Sequence, residues 1–174
     1  MAAASFLSRL DARDQALFAR CLVRPGTPSV VRRVWTTLTH LGGARASVAA
    51  SVVPAAAGIV SVMAAVKVLA TLALSHVVVQ LLKRTVGRPR PAASGHTAIA
   101  LAPDAFSFPS GHSAAAMAVA IAYAALFPHI ALPLVVLALA VGLSRVCLGV
   151  HYPGDVVTGQ LIAVATAVAV FARW

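Results

Sequence analysis

Three short clusters hold the side chains able to do chemistry. Lys83 is followed after six residues by Arg90-Pro91. Pro109-Ser110-Gly111-His112 forms the second cluster. In the third, Ser144-Arg145 is followed after five residues by His151, and after three more by Asp155. Arginine presents a planar fork suited to phosphate oxygens and lysine acts as a point charge, so Lys83, Arg90 and Arg145 suit a phosphoryl ligand. Ser110 offers a hydroxyl. Gly111 lets backbone approach a ligand at the start of an apolar helix, where free N–H groups attract anions. His151 and Asp155 are four apart, on one face if both lie in one helical turn. The carboxylate can then accept from one imidazole nitrogen and leave the other free as a nucleophile. Taken singly, each cluster has a plain explanation: a basic flank anchoring a membrane helix, a Ser N-cap, a His–Asp pair closing a loop. Their combination favours phosphoryl chemistry.

The elements that must position these residues are apolar. Of 174 residues, 60% are hydrophobic and 10% charged, against about 25% charged in an ordinary soluble domain. Disorder is excluded by that hydrophobicity. A net charge of +10 would suit nucleic acid, but a mean hydropathy of +0.91 points to lipid as solvent and to no nucleic-acid partner. The acids are four aspartates, Asp11, Asp14, Asp104 and Asp155, too scattered for a carboxylate metal site. Cys21 and Cys147 indicate no disulfide framework. The opening residues do not read as a signal peptide.

A helix needs about 20 apolar residues to cross a bilayer. Residues 46–82 contain one charge, Lys67, and are read as two crossings with a break near Ser61–Lys67. Residues 83–111 form a polar loop. Residues 112–127, 130–146 and 154–172 supply three more crossings, the last ending in an interfacial Arg173-Trp174 pair. Residues 1–45 carry seven of the fourteen basic residues. Two amphipathic helices are expected there, Asp11 to Val23 and Val30 to Leu41, lying at the membrane surface and stopped by Pro25-Gly26 and Gly42-Gly43. The expected architecture is therefore an all-α, polytopic transmembrane bundle forming one domain over 1–174. It has five firm crossings, and an N-terminal helix could supply a sixth. Alternating crossings bring Lys83–Gly111, Arg145–Asp155 and the N-terminal region to one side.

The three clusters, in this order and spacing and each at the end of an apolar segment, resemble the signature of the type 2 phosphatidic acid phosphatase superfamily, in its membrane lipid phosphatase branch. The resemblance spans about residues 67–172. It implies that His151 attacks phosphorus and forms a phosphohistidine while Asp155 stabilises its imidazolium. His112 protonates the leaving oxygen and then activates water. Lys83, Arg90, Ser110, Gly111 and Arg145 hold the phosphate oxygens, with no metal or other cofactor. The substrate implied is a lipid phosphate or diphosphate, polyprenyl or phosphatidic-acid-like. The setting is the bilayer of a bacterial inner membrane. A lipid-linked phosphotransferase, a zinc hydrolase using His112, His151 and Asp155, and a non-catalytic basic membrane scaffold are the competing readings. The resemblance favours an extracytoplasmic site, whereas the charge of residues 1–45 favours a cytoplasmic one.

Outside the signature, Arg84 and Arg88 are expected to be solvated or in contact with lipid headgroups. Ser144 is assigned a structural hydrogen bond. His40, His76 and His129 are read as structural, with His76 bonding between helices. His96 and Asp104 lie in the polar loop, where lining the substrate entrance is the minority reading for both and leaves their role open. A cationic cradle gains little from nearby carboxylates, so Asp155 is the one acid the site is expected to need.

Overall fold

A computed structural model describes residues 2–24, 26–95, 98–100 and 104–173, with residues 2–10 and Ser94 in backbone only. His96 and Trp174 lie outside the described residues. Seven α-helices are described: α1 (Ala2–Cys21), α2 (Ser29–Leu41), α3 (Ala44–Ala56), α4 (Val62–Val86), α5 (Gly111–Leu126), α6 (Ala131–Cys147) and α7 (Pro153–Phe171). Among the described residues there is no strand beyond an isolated bridge between Pro89 and Phe106.

The helix ends follow local chemistry. Ser61 caps α4, its hydroxyl accepting from the Ala64 N–H at 3.1 Å. The helix stops where Gly87 takes a left-handed conformation, φ 62°. The break between the first two apolar segments thus falls at residues 57–61, just before the predicted one. Pro153 opens α7 at a position where no N–H is needed.

Among the described residues, three helical segments are long and apolar enough to cross a membrane: Val62–Val86, Pro128–Cys147 and Pro153–Phe171. The other two predicted crossings fall on shorter apolar helices, Ala44–Ala56 and Gly111–Leu126. At about 1.5 Å per residue, the 13 residues of α3 reach only about 20 Å. The protein is an integral membrane protein with an all-helical fold.

α5 is the central helix, packed on α4, α6 and α7. The core beside it is made of small residues, Ala118, Ala120, Ala138 and Ala163 with Met117. Small side chains let helices approach closely where lipid offers no hydrophobic drive. At Gly159 of α7, an added Cβ would stand 2.5 Å from the Ser110 carbonyl oxygen, so only glycine allows this crossing. Hydroxyls join the helices further along: Ser75 of α4 meets Thr166 of α7 at 2.6 Å, and Tyr123 of α5 donates to the Ala50 carbonyl of α3 at 2.8 Å.

The antiparallel order gathers the C-termini of α4 and α6 and the N-termini of α5 and α7 at one end, as the alternation predicted. α1 joins them there. Phe18 is fully buried and meets Tyr152 edge-on, ring centroids 5.3 Å apart, and the Val23 N–H donates to the Cys147 carbonyl at 2.9 Å.

Candidate active site

Lys83 ends α4 and Arg90 follows the Gly87 turn. Gly111 and His112 begin α5, and His151 stands in the turn between α6 and α7. These five line one cavity of about 780 Å³. Ser110, Arg145 and Asp155 sit in the surrounding wall, each at most 1% exposed. Backbone bonds tie them to the site: the Ser110 N–H donates to the Asp155 carbonyl at 2.9 Å, and the His151 N–H to the Arg145 carbonyl at 3.3 Å. All eight sequence-predicted residues are thus brought together. A second cavity, about 340 Å³ and mostly apolar, contains none of them.

His151 and Asp155 do not share a helical turn as expected. His151 precedes α7 and Asp155 lies in its first turn. The turn still brings them together, with Nδ1 of His151 3.6 Å from Oδ2 of Asp155. That is longer than a full hydrogen bond, and such pairs often tighten only when substrate binds. No closer partner of Nδ1 occurs among the described residues. On the cavity side, a guanidinium nitrogen of Arg90 lies 3.1 Å from Nε2 of His151. Arginine can only donate, so Nε2 is the acceptor and the ring proton is assigned to Nδ1, facing Asp155. Burial, together with the charges of Arg90 and Arg145, outweighs Asp155 and pushes the His151 pKa down to about 4. The imidazole is therefore neutral, with its lone pair towards the cavity.

The cations differ in their partners. Lys83 Nζ donates to both oxygens of Asp104, at 2.9 and 2.8 Å, and to the Phe106 carbonyl at 3.1 Å. Arg90 donates to Asp104 Oδ1 at 2.7 Å, and to the Asp104 and Val150 carbonyls at 2.8 and 2.9 Å. Among the described residues the Arg145 side chain has one hydrogen-bond partner, the Thr39 hydroxyl of α2. Its Nε and the other terminal nitrogen are buried and meet no acceptor among the described residues. Two such donors without acceptors are costly unless an anion meets them.

The Ser110 hydroxyl accepts from Ser113 at 2.9 Å. Ser144 makes the expected structural bond, donating to the Val141 carbonyl at 2.6 Å. Asp104 lines the cavity, and its role corrects the reading of the acids. Its carboxylate occupies the two cations of the first cluster, so the site holds a second aspartate besides Asp155. Burial would raise the Asp104 pKa, but hydrogen bonds from Lys83 and Arg90 outweigh that and hold it below the usual value.

Arg88 is the largest correction. It was expected to be solvated or at lipid headgroups. Instead one terminal nitrogen donates to Asp155 Oδ1 at 2.8 Å and Asp14 Oδ2 at 2.7 Å, and the other to Asp11 Oδ1 at 2.7 Å. The guanidinium lies over the Tyr152 ring, 4.2 Å from its centroid. Burial opposes its charge, yet the carboxylates of Asp155 and Asp14 raise its pKa further above the ordinary arginine value. The Tyr152 N–H completes the hold on Asp155, donating to Oδ2 at 2.9 Å. Asp14 also accepts from the Gly154 N–H at 2.7 Å, so a carboxylate of α1 caps α7.

His76 bonds within α4, not between helices: it is exposed, and Nε2 lies 3.4 Å from the Gln80 amide nitrogen. The α2–α3 turn also belongs to the site. A Cβ on Gly42 would stand 2.7 Å from both the His112 carbonyl oxygen and the Val141 side chain. Gly42-Gly43 had been read only as a helix stop, and nothing in its local sequence announces this approach.

A family model described as the PAP2 superfamily matches residues 64–174. The chain belongs to this superfamily. Among curated PAP2-like relatives, the lipid A 1-phosphatase of Rhizobium johnstonii is 38% identical over 101 residues, covering 51% of this chain and 39% of the relative. The decaprenylphosphoryl-5-phosphoribose phosphatase of Mycobacterium tuberculosis is 42% identical over 90 residues, covering 49% and 48%. The chain thus matches less than half the length of these relatives. A crystal structure of a transmembrane PAP2 type phosphatidylglycerolphosphate phosphatase from Bacillus subtilis superposes with a TM-score of 0.80 at 25% identity, covering 95% of this chain and 86% of that one.

Proposed function

We propose that this chain is a metal-independent lipid phosphatase of the PAP2 superfamily, hydrolysing a lipid phosphate or diphosphate through a phosphohistidine. The observation that carries this reading is the buried Arg145, with two donors that meet no acceptor, beside a neutral His151 whose lone pair faces the cavity. A phosphoryl group supplies the missing acceptors.

Nε2 of His151 attacks phosphorus in line, and the bond to the leaving oxygen breaks. The imidazolium that forms is stabilised by Asp155, itself fixed by Arg88 and the Tyr152 N–H. His112, whose protonated form is favoured by the bound phosphate anion, gives its proton to the leaving oxygen. It then takes a proton from water, whose oxygen attacks phosphorus and breaks the N–P bond, returning His151 to its neutral form. Lys83, Arg90, Arg145, Ser110 and the Gly111 amide hold the non-bridging oxygens as charge redistributes. For this to happen, phosphate oxygens replace the Asp104 carboxylate on Lys83 and Arg90.

In this reading residues 1–174 act as one integral unit of a bacterial inner membrane. α3 to α7 are five crossings, α1 and α2 lie at the interface, and the lipid tail enters between apolar helices. The test is phosphate release in detergent from phosphatidic acid, phosphatidylglycerophosphate, polyprenyl phosphate and polyprenyl diphosphate. Release that survives EDTA, is blocked by vanadate and is lost in His151→Ala is expected. No release from any of them overturns the proposal.

A further inference from the structure

His76, Gln80 and Lys83 of α4 stand at i, i+4 and i+7, which places them on one helix face. All three line the same cavity. At about 1.5 Å per residue, His76 lies about 10 Å along the helix from Lys83, away from the phosphate end. The wall around it is apolar, formed by Val48, Leu69, Leu72 and Ala73. The cavity thus has a cationic end, a hydrocarbon-like wall, and one polar pair at the depth of the tail.

An imidazole and an amide inside an apolar membrane helix are costly unless they meet polar partners, and such residues mark function. The mechanism above uses neither. They bond to each other at only 3.4 Å. With the Gln80 amide as donor, Nε2 of His76 is the acceptor and its ring proton is assigned to Nδ1. The pair then keeps an imidazole N–H and a second amide hydrogen as donors, groups that match ester, amide or hydroxyl oxygens.

A linear prenyl chain has no oxygen about 10 Å from its phosphate, and seating it there would leave both side chains facing hydrocarbon. A lipid whose tails join through ester or amide groups to a glycerol or sugar carries oxygens at that distance. Resting on the proposed phosphatase activity, we infer that His76 and Gln80 form a second polar subsite. It reads the linkage between headgroup and tails and selects acylated phosphate lipids over polyprenyl phosphates.

The test uses the full chain in detergent and measures kcat/KM on phosphatidic acid, an acylated glucosamine 1-phosphate and a polyprenyl phosphate. The wild type should prefer one or both acylated substrates, and which one separates the glycerol from the sugar source. In His76→Leu/Gln80→Leu, the ratio of acylated to polyprenyl kcat/KM should fall at least about fivefold, the scale of one lost hydrogen bond. In His76→Gln, which keeps a donor, most of the ratio should return, and this variant decides the matter if the double variant does not fold. A smaller fall, or an equal loss on all substrates, overturns the subsite while leaving the phosphatase intact. Wild-type protein inactive on all three overturns both.

Discussion

Arg88 and Arg90 are two residues apart, yet each holds a different end of the same His–Asp pair. Arg90 touches Nε2 of His151 and Arg88 touches Oδ1 of Asp155. Arg90 has polyproline-like angles, φ −78° and ψ 158°. In such a backbone, with three residues per turn, side chains two apart diverge by about a third of a turn. The surroundings differ as sharply. Arg90 faces the cavity, and the carboxylate it shares with Lys83 is 35% exposed. Arg88 is enclosed by Asp11, Asp14, Asp155 and the Tyr152 ring. In the proposed reaction one arginine holds an anion that substrate replaces, and the other holds a carboxylate that must stay.

If that contrast is right, the two arginines should fail differently. Arg90→Ala should lower phosphate release about 10²–10³-fold, the scale for losing one preorganised charge-stabilising donor. It should also raise KM, because the residue binds the ligand. Arg88→Ala should lower kcat about tenfold or more, consistent with losing one charge-assisted hydrogen bond worth about 1.5–3 kcal/mol. KM should change little and the melting temperature should drop, since α1 loses two of its ion pairs. An equal rise in KM in both variants would break the comparison.

Asp104→Asn tests the exchangeable side. Inorganic phosphate and vanadate should inhibit about two- to fivefold more tightly, the range for a partly exposed ion pair. Weaker inhibition would mean that the carboxylate instead holds Lys83 and Arg90 in place for substrate.

The pH profile is the finest probe. His151 must be neutral to attack, so the acid limb of kcat/KM should fall near its pKa of about 4, well below the ordinary 6.5. Arg90 contributes to that depression, so Arg90→Ala should move the limb towards higher pH, whereas Arg88→Ala should barely move it. Stability follows the same sign. The folded state disfavours protonated His151, so on this account stability rises with pH between about 4 and 6.5 and is lower below that window.

Much of this site was legible because three clusters fix residue types at fixed spacings, each at the end of an apolar segment. The helices from α4 onward were equally legible, because long apolar runs leave few alternatives. What escaped were contacts made across the chain. Arg88 and Arg84 are alike as sequence, but only Arg88 meets Asp11 and Asp14, more than seventy residues earlier. Thr39 gives no local sign that it will hold Arg145. Asp104 was only a minor candidate for the entrance, because its hold on two cations depends on how residues 88–90 run beside 104–107. His76 was misassigned because helical spacing permits a partner either in the same helix or in a neighbouring one.

All four aspartates are engaged by three cations lying between residues 83 and 90. With no acidic side chains left over, the chain's net charge of +10 must be balanced from outside it. In a bilayer the nearest counterions are the phosphate groups of anionic lipids. The protein should therefore gather around itself a shell of the same headgroup chemistry that the proposed reaction brings into its cavity. Raising the ionic strength should thin that shell before it weakens the cradle, because buried pairs are screened least.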